Sequence, residues 1–324
     1  MTSARARIAQ LTVKYPWLGP LVALVFVYAL FCVLRPESFA NADMLATMSR
    51  QTVVVALTAV GMTLIIILGG IDLSVGSAVA LAAVVLAYLL KGGSGALTAC
   101  GGALLVACAC GAVNGLLITR LRVAPFIVTL GAMSILRGVA KGIAKEQKID
   151  ADPRGLDALL APLPEGKRWM LMPAGVWTAL VVAALAAALL RYTRFGRHVF
   201  AIGSNEQTAR LCGVPVERVK VIVYALAAAL TGLAGIMEFS NLTVGDPTGS
   251  AGLELSVIAA VVIGGGSLSG GEGSILGALV GAFLMTVIKN GCTSVGLPNW
   301  VEEIVTGVII VLAVALDRPR HARR

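Results

Sequence analysis

The chain has 324 residues, enough for two soluble domains. Yet 58% of them are hydrophobic and only 13% charged, against roughly 45–50% and about 25% in a soluble globular protein, and mean hydropathy is +0.90. A water-soluble fold cannot bury that much apolar side chain, so lipid must be the solvent for most of it; disordered, collagen-like and disulfide-scaffold classes fail on the same numbers. The net charge of +9 would suit a nucleic-acid binder in a soluble protein. Here the basic residues fall in connections between apolar runs, the pattern that orients membrane proteins, and no nucleic-acid partner is expected.

At the N-terminus, Arg5, Arg7 and Lys14 precede an uncharged stretch, and Ala40-Asn41-Ala42 imitates a signal cleavage site. The apolar run is longer than a signal-peptide core of about 7–15 residues, so it reads as a retained first span. Uncharged runs then mark candidate spans at 15–34, 51–71, 73–90, 92–119, 123–136, 169–190, 221–237, 255–271, 273–288 and 304–316. A crossing takes roughly 20 apolar residues. The weakest, 123–136 and 304–316, must extend through Arg137 and back to Trp300. The expectation is an all-α polytopic protein of about ten spans, eight to ten in all, forming one transmembrane domain over 1–324.

Basic connections set the orientation. Residues 1–16 carry three Lys/Arg, 120–122 two, 191–220 six and the tail after Asp317 four. The connection 145–168 is balanced, with five basic and five acidic residues. Ten spans with both termini in the cytoplasm put all four basic segments on one side. On that reading 1–16, 191–220 and 317–324 are cytoplasmic and 145–168 is outside. The six cysteines (Cys32, Cys100, Cys108, Cys110, Cys212, Cys292) have no zinc spacing, and the bland reading is packing between helices.

Two glycine-rich breaks resemble each other: Gly69 to Ser77 (GGIDLSVGS) and Gly264 to Ser274 (GGGSLSGGEGS). Each separates two apolar runs, a hint of an internal repeat of the kind transporters use. Asp72 in the first break is either a polar contact on a solute path or a helix-capping acid at an aqueous boundary. Arg137 and Lys141 read as snorkelling to the outer interface. Glu238, Asn114 and Asn290 read as bonds between helices or as pore lining. Leu268 to Glu272 imitates the ABC ATPase signature, but the chain has no phosphate loop, so it cannot hydrolyse ATP by that route. No catalytic triad, H-E-x-x-H motif or paired catalytic carboxylates are evident.

In 191–220, Ser204-Asn205-Glu206-Gln207 is a capping-box pattern, with Ser204 expected to cap the Gln207 amide. Gly213 supplies a stop and Pro215 prevents continuation. A helix of about two turns cannot stand alone in water. It packs either on the protein's own helix ends or on a cytosolic partner.

Several stretches resemble one family, the membrane permeases of bacterial ABC importers for simple sugars. They are Gly69 to Ser77, Gly111 to Thr129, Leu136-Arg137-Gly138, Thr193 to Val223, Ala234 to Glu238 and Leu255 to Gly273. The resemblance covers about 45–316. It implies two permease subunits, either a homodimer of this chain or this chain with a similar one, a periplasmic sugar-binding protein, and a separate cytoplasmic ATPase that carries the ATP and Mg, with no cofactor on this chain. It also implies that the short capped helix docks on that ATPase through Ser204, Asn205, Glu206, Gln207, Ala209, Arg210, Leu211 and Gly213. Glu206 and Arg210 would be its polar contacts, and Ala209, Leu211 and Cys212 an apolar plug. Asp72, Ser74, Asn114 and Glu238 are the candidates for the translocation path. The competing reading is an ion-coupled secondary transporter, for which Asp72 and Glu238 are the available intramembrane acids.

Overall fold

The computed structural model describes residues 17–164 and 170–321. In chain order the elements are α1 (Leu18–Leu34), α2 (Pro36–Phe39), α3 (Ala42–Ile67), α4 (Val75–Lys91), α5 (Ala96–Leu121), α6 (Pro125–Ala144), β1 (Ile149–Asp150), a 3-10 turn (Leu156–Leu159), α7 (Ala174–Tyr192), α8 (Arg194–Ser204), α9 (Glu206–Leu211), α10 (Val216–Leu242), β2 (Val244–Gly245), α11 (Leu253–Ile263), α12 (Ile275–Val295) and α13 (Asn299–His321). The expected segments 1–16, 165–168 and 322–324 lie outside the described residues.

A helix falls on each of the ten uncharged runs. Six among the described residues are long and apolar enough to cross a membrane: α3, α5, α6, α7, α10 and α12. Helices α1, α4 and α11 are shorter, and α13 is long but outside the six. Length and composition alone therefore mark six crossings among the described residues and do not establish the expected count of about ten. The run 255–271 is cut at Ile263, where Gly264-Gly265-Gly266 ends the helix and Gly265 turns to φ +91°. Glycine can take that conformation without a Cβ penalty.

Helix α10 is the hub. Its small residues Ala227, Ala228, Gly232 and Gly235 meet Gly61 of α3, Gly111 and Ala107 of α5, and Ala82 of α4. In lipid there is no hydrophobic drive between helices, so close approach of small side chains supplies the packing. Interhelical hydrogen bonds add to it. The Thr52 hydroxyl donates to Thr286 at 2.9 Å and Asn290 donates to Gln51 at 2.6 Å.

The two ends of the bundle differ. At one, β1 pairs antiparallel with β2 (Ile149 opposite Gly245, Asp150 opposite Val244), and Arg154 donates to the Gly93 and Ser94 carbonyls at 3.1 and 2.6 Å. Toward the other end lie α8 and α9, beside the joint between the end of α3 and the second glycine-rich break. The Gly271 amide donates to the Ile67 carbonyl at 2.8 Å, and Gly203 at the end of α8 sits against both. A Cβ at Gly203 would strike two backbones at once, which is why glycine stands there.

Candidate functional site

The segment 193–215 is built from two short helices, not from a loop with one. Thr193 caps α8 by accepting from the Gly196 amide at 3.1 Å. Gly196, Val199 and Ile202 are buried while Arg194, Arg197 and Ala201 face outward. The apolar spacing i, i+3, i+6 was the available signal for this helix. Because α8 runs through Ser204, that residue is helical and exposed, and it is not the cap of α9. The cap is Asn205, whose extended backbone (φ −162°) lets its side-chain oxygen accept from the Thr208 amide at 2.8 Å. Asparagine and serine cap about equally well; the preceding helix decides which is free to do so. At the far end Gly213 is left-handed at φ +80°. Its amide donates to the Arg210 carbonyl at 3.1 Å, and the Val214 amide to that of Ala209 at 3.1 Å. This reproduces the expected stop before Pro215.

Charges fasten α9 to the start of α10. Glu206 pairs with Lys220 at 2.7 Å and with Arg210 at 3.4 Å, and Arg210 also pairs with Glu217. Desolvation pushes the Glu206 carboxyl up, but Lys220 and Arg210 outweigh it and hold it below the usual glutamate value. The Glu217 and Glu206 carboxylates in turn raise the Arg210 guanidinium above its usual value. Glu206 and Arg210, expected to point at a partner, thus have partners within the chain. Ala209, expected in the apolar plug, is buried at 4% exposure beneath the helix. Leu211 is 89% exposed, and with Cys212 and Gly213 it forms the tip that water reaches. Gln207 is exposed alongside.

The first break builds a different site. Asp72 and Ser74 are buried. One Asp72 oxygen accepts from the Ser74 amide at 2.8 Å and from its hydroxyl at 2.5 Å. Asn114 of α5 donates to the Ser74 hydroxyl at 3.2 Å. Thr129 of α6 accepts from the Leu73 amide at 3.1 Å and donates to the Ile71 carbonyl at 3.2 Å. The Tyr224 hydroxyl closes over Gly70. Asp72 therefore organises the turn into α4, as a capping acid would, and is buried among the helices there. The adjoining cavity, lined by Asp72, Ser74, Asn114 and Thr231, is about 10 Å³, room for about one water. Thr129, Tyr224 and Thr231 were not singled out in the sequence, because a lone hydroxyl in an apolar run carries no periodic signal.

Glu238 is not in this node. It lies near the strand-bearing end of α10 and accepts from the Ser250 hydroxyl. Arg137, expected to snorkel, instead donates from Nη1 to the Pro247 and Gly249 carbonyls at 2.9 and 2.7 Å. Lys141 is exposed.

Comparison with known proteins agrees with this architecture. The chain is 39% identical over 307 residues to the ribose import permease protein RbsC of Escherichia coli (strain K12), covering 93% of each chain. It is 37% identical over 307 residues to RbsC of Bacillus subtilis (strain 168), covering 94% of each. It is 34% identical over 309 residues to the L-arabinose ABC transporter permease protein AraH of Azospirillum brasilense, covering 94% of this chain and 88% of that one. No solved structure matches it. The relatives are transport subunits, which fits a bundle whose polar groups are spent on joints and caps. The sequence model described as the permease component of the branched-chain amino acid transport system matches residues 44–314, and with that span matched the chain belongs to this family of membrane permeases.

Proposed function

We propose that this chain is the membrane-spanning subunit of an ATP-driven importer for a monosaccharide, ribose or a similar pentose or hexose. It sits in the bacterial inner membrane with both termini in the cytoplasm. A separate ATPase binds ATP and Mg and docks on α9 and its flanking residues, 204–213. A periplasmic sugar-binding protein delivers cargo to the end bearing β1 and β2. A second permease subunit, here another copy of this chain, completes the pathway. Asp72, Ser74, Asn114 and Glu238 are its polar lining, reached as the helices rock.

The observation that carries this reading is the doubly stopped helix Glu206–Leu211, fastened to α10 by ion pairs. A helix this short transmits force only if it is clamped to a longer one. The Glu206–Lys220 pair joins it to α10, the hub of the bundle, so motion imposed on the Leu211 tip reaches the spans. The names of the ribose and arabinose relatives support the choice of cargo.

The test is reconstitution with the ATPase and binding protein. Ribose uptake should require ATP, and should fall together with ATPase stimulation when Gly213→Val is combined with Glu206→Lys. Survival of both activities removes the docking role. Uptake that follows an ion gradient without ATP favours a secondary transporter instead.

A further inference from the structure

The chain between β2 and α11 turns back into the bundle. Gly245 lies against Ala83, Val84 and Ala87 of α4, whereas the Ser250 carbonyl and the Glu254 carboxylate reach Gly76 of the same helix. From Ala87 to Gly76 is a descent of about 16 Å at 1.5 Å per residue. The level reached is the middle of α10, since Ala228 and Thr231 share a cavity with Val75 and Ala78. Residues 246–252 make the descent without helix or strand. Helix α11 then starts at Leu253, and its 11 residues cover about 16 Å, half the hydrocarbon thickness.

This strap is held by polar groups and still open on one side. Arg137 bonds the Pro247 and Gly249 carbonyls. Asp246 accepts from the Thr248 amide at 2.8 Å and its hydroxyl at 2.7 Å, and it pairs with Lys148 at 3.0 Å. Glu238 accepts from the Ser250 hydroxyl, and the Glu254 carboxylate lies beside the Ser250 carbonyl against Gly76. Thr248, Ala251 and Gly252 are exposed. Lipid does not tolerate irregular exposed backbone inside the hydrocarbon layer; such backbone lies in protein or lines water. Ionisable side chains at that depth face the same kind of space.

We propose that residues 246–252, with Arg137 and Glu254, form a wall of the aqueous path that contacts a polyhydroxy solute. A neutral sugar presents closely spaced donors and acceptors. Strap carbonyls, the Thr248 hydroxyl and the Glu254 carboxylate accept from its hydroxyl groups, and the Arg137 N–H groups that do not bind the strap donate to them. The inference rests on the sugar-importer reading and adds the segment that meets the cargo.

The test uses the transporter assembled with its ATPase and binding protein in liposomes, with the native cysteines replaced. Thr248→Cys and Ala251→Cys are exposed to a charged, membrane-impermeant methanethiosulfonate, with Leu185→Cys, on an apolar exposed face of α7, as the control. Access governs thiol reactivity, so both strap positions should react at least about tenfold faster than Leu185→Cys. Labelling of Ala251→Cys should abolish the ribose uptake that this variant had before labelling. Arg137→Gln, compared at equal amounts of assembled complex, should lower uptake about tenfold, the scale of a lost charged hydrogen bond. Strap cysteines as slow as the control overturn the proposal, as does full uptake after labelling. A wild-type complex that moves no ribose, while the strap still labels, refutes the cargo reading and leaves the wall in place.

Discussion

The two glycine-rich breaks look alike as strings and do different work. Residues 68–74 send their polar groups outward to other helices: Ser74 to Asn114 of α5, and the Ile71 and Leu73 backbone to Thr129 of α6. Residues 264–274 fold largely on themselves. The Ser267 amide donates to the Glu272 carbonyl at 3.1 Å, and the Ser269 amide to the Ser267 hydroxyl at 3.2 Å. Ser274 then caps α12 by accepting from the Gly277 amide at 3.2 Å. The second break bonds to the end of α3, Gly271 to Ile67, and its Gly270 lies against Gly69 of the first, both beside the C-terminal end of α8. Similar sequence thus yields a buried polar node in one place and a close-packed joint in the other. The difference lies in what each break finds beside it. The first faces side chains able to hydrogen-bond, and the second faces backbone with room for glycine alone.

If the joint is the stiffer of the two, Gly203→Val should be the most damaging change. Its branched side chain must displace the Ile67 and Gly271 backbones, and a loss above about 3 kcal/mol is expected. Thermal unfolding of the purified permease reads it, with Gly131→Ala, where a Cβ meets open space, as the neutral comparison. Equal midpoints for the two variants would mean the breaks are not packed through α8.

The polar node should be next. Asp72→Ala leaves the Ser74 amide and hydroxyl without their buried acceptor, worth about 1–3 kcal/mol. Asp72→Asn keeps an acceptor oxygen and should lose less. If the asparagine variant is as unstable as the alanine one, the carboxylate's charge matters and the capping description fails. Gly213→Val, at φ +80°, should cost about 1 kcal/mol in local stability. Hydrogen exchange across 206–213 should rise while the spans stay protected.

The ionic corner should respond least. Exposed pairs are worth about 0–1 kcal/mol, so Glu206→Gln should barely move the unfolding midpoint. Its pH dependence has a definite sign. Glu206 titrates below its ordinary value, so its stabilisation is present above about pH 4.3 and is lost as pH falls through the lower folded value. Exchange in 206–213 should be flat from neutrality to about pH 5 apart from the intrinsic rate, then rise below it. A rise between pH 6 and 7 would require another titrating group.

Much of the architecture was legible as residue spacing. Long uncharged runs marked the positions of the helices because a lipid solvent removes the alternation that blurs such runs in soluble proteins. Gly213 and Pro215 marked the end of α9 because backbone conformation is a local property. The capping residue was not legible: Ser204 and Asn205 are equivalent by composition, and the extent of α8 chose between them. Ala209 could not be told from Leu211, since which side of a two-turn helix faces the protein depends on where α10 lies.

What the sequence alone determined, then, is chemistry that acts within a few residues: a lipid-dissolved helical chain, its breaks and its stops. Tertiary structure decided everything that needs two distant segments to meet. Arg137 holds carbonyls 110 and 112 residues away, and Asn114 reaches Ser74 from 40 residues away. The short α11 begins mid-bundle because the strap before it ends against Gly76. Polar groups in a membrane must find partners somewhere, but the identity of the partner is a fact of geometry, and no spacing rule along one chain encodes it.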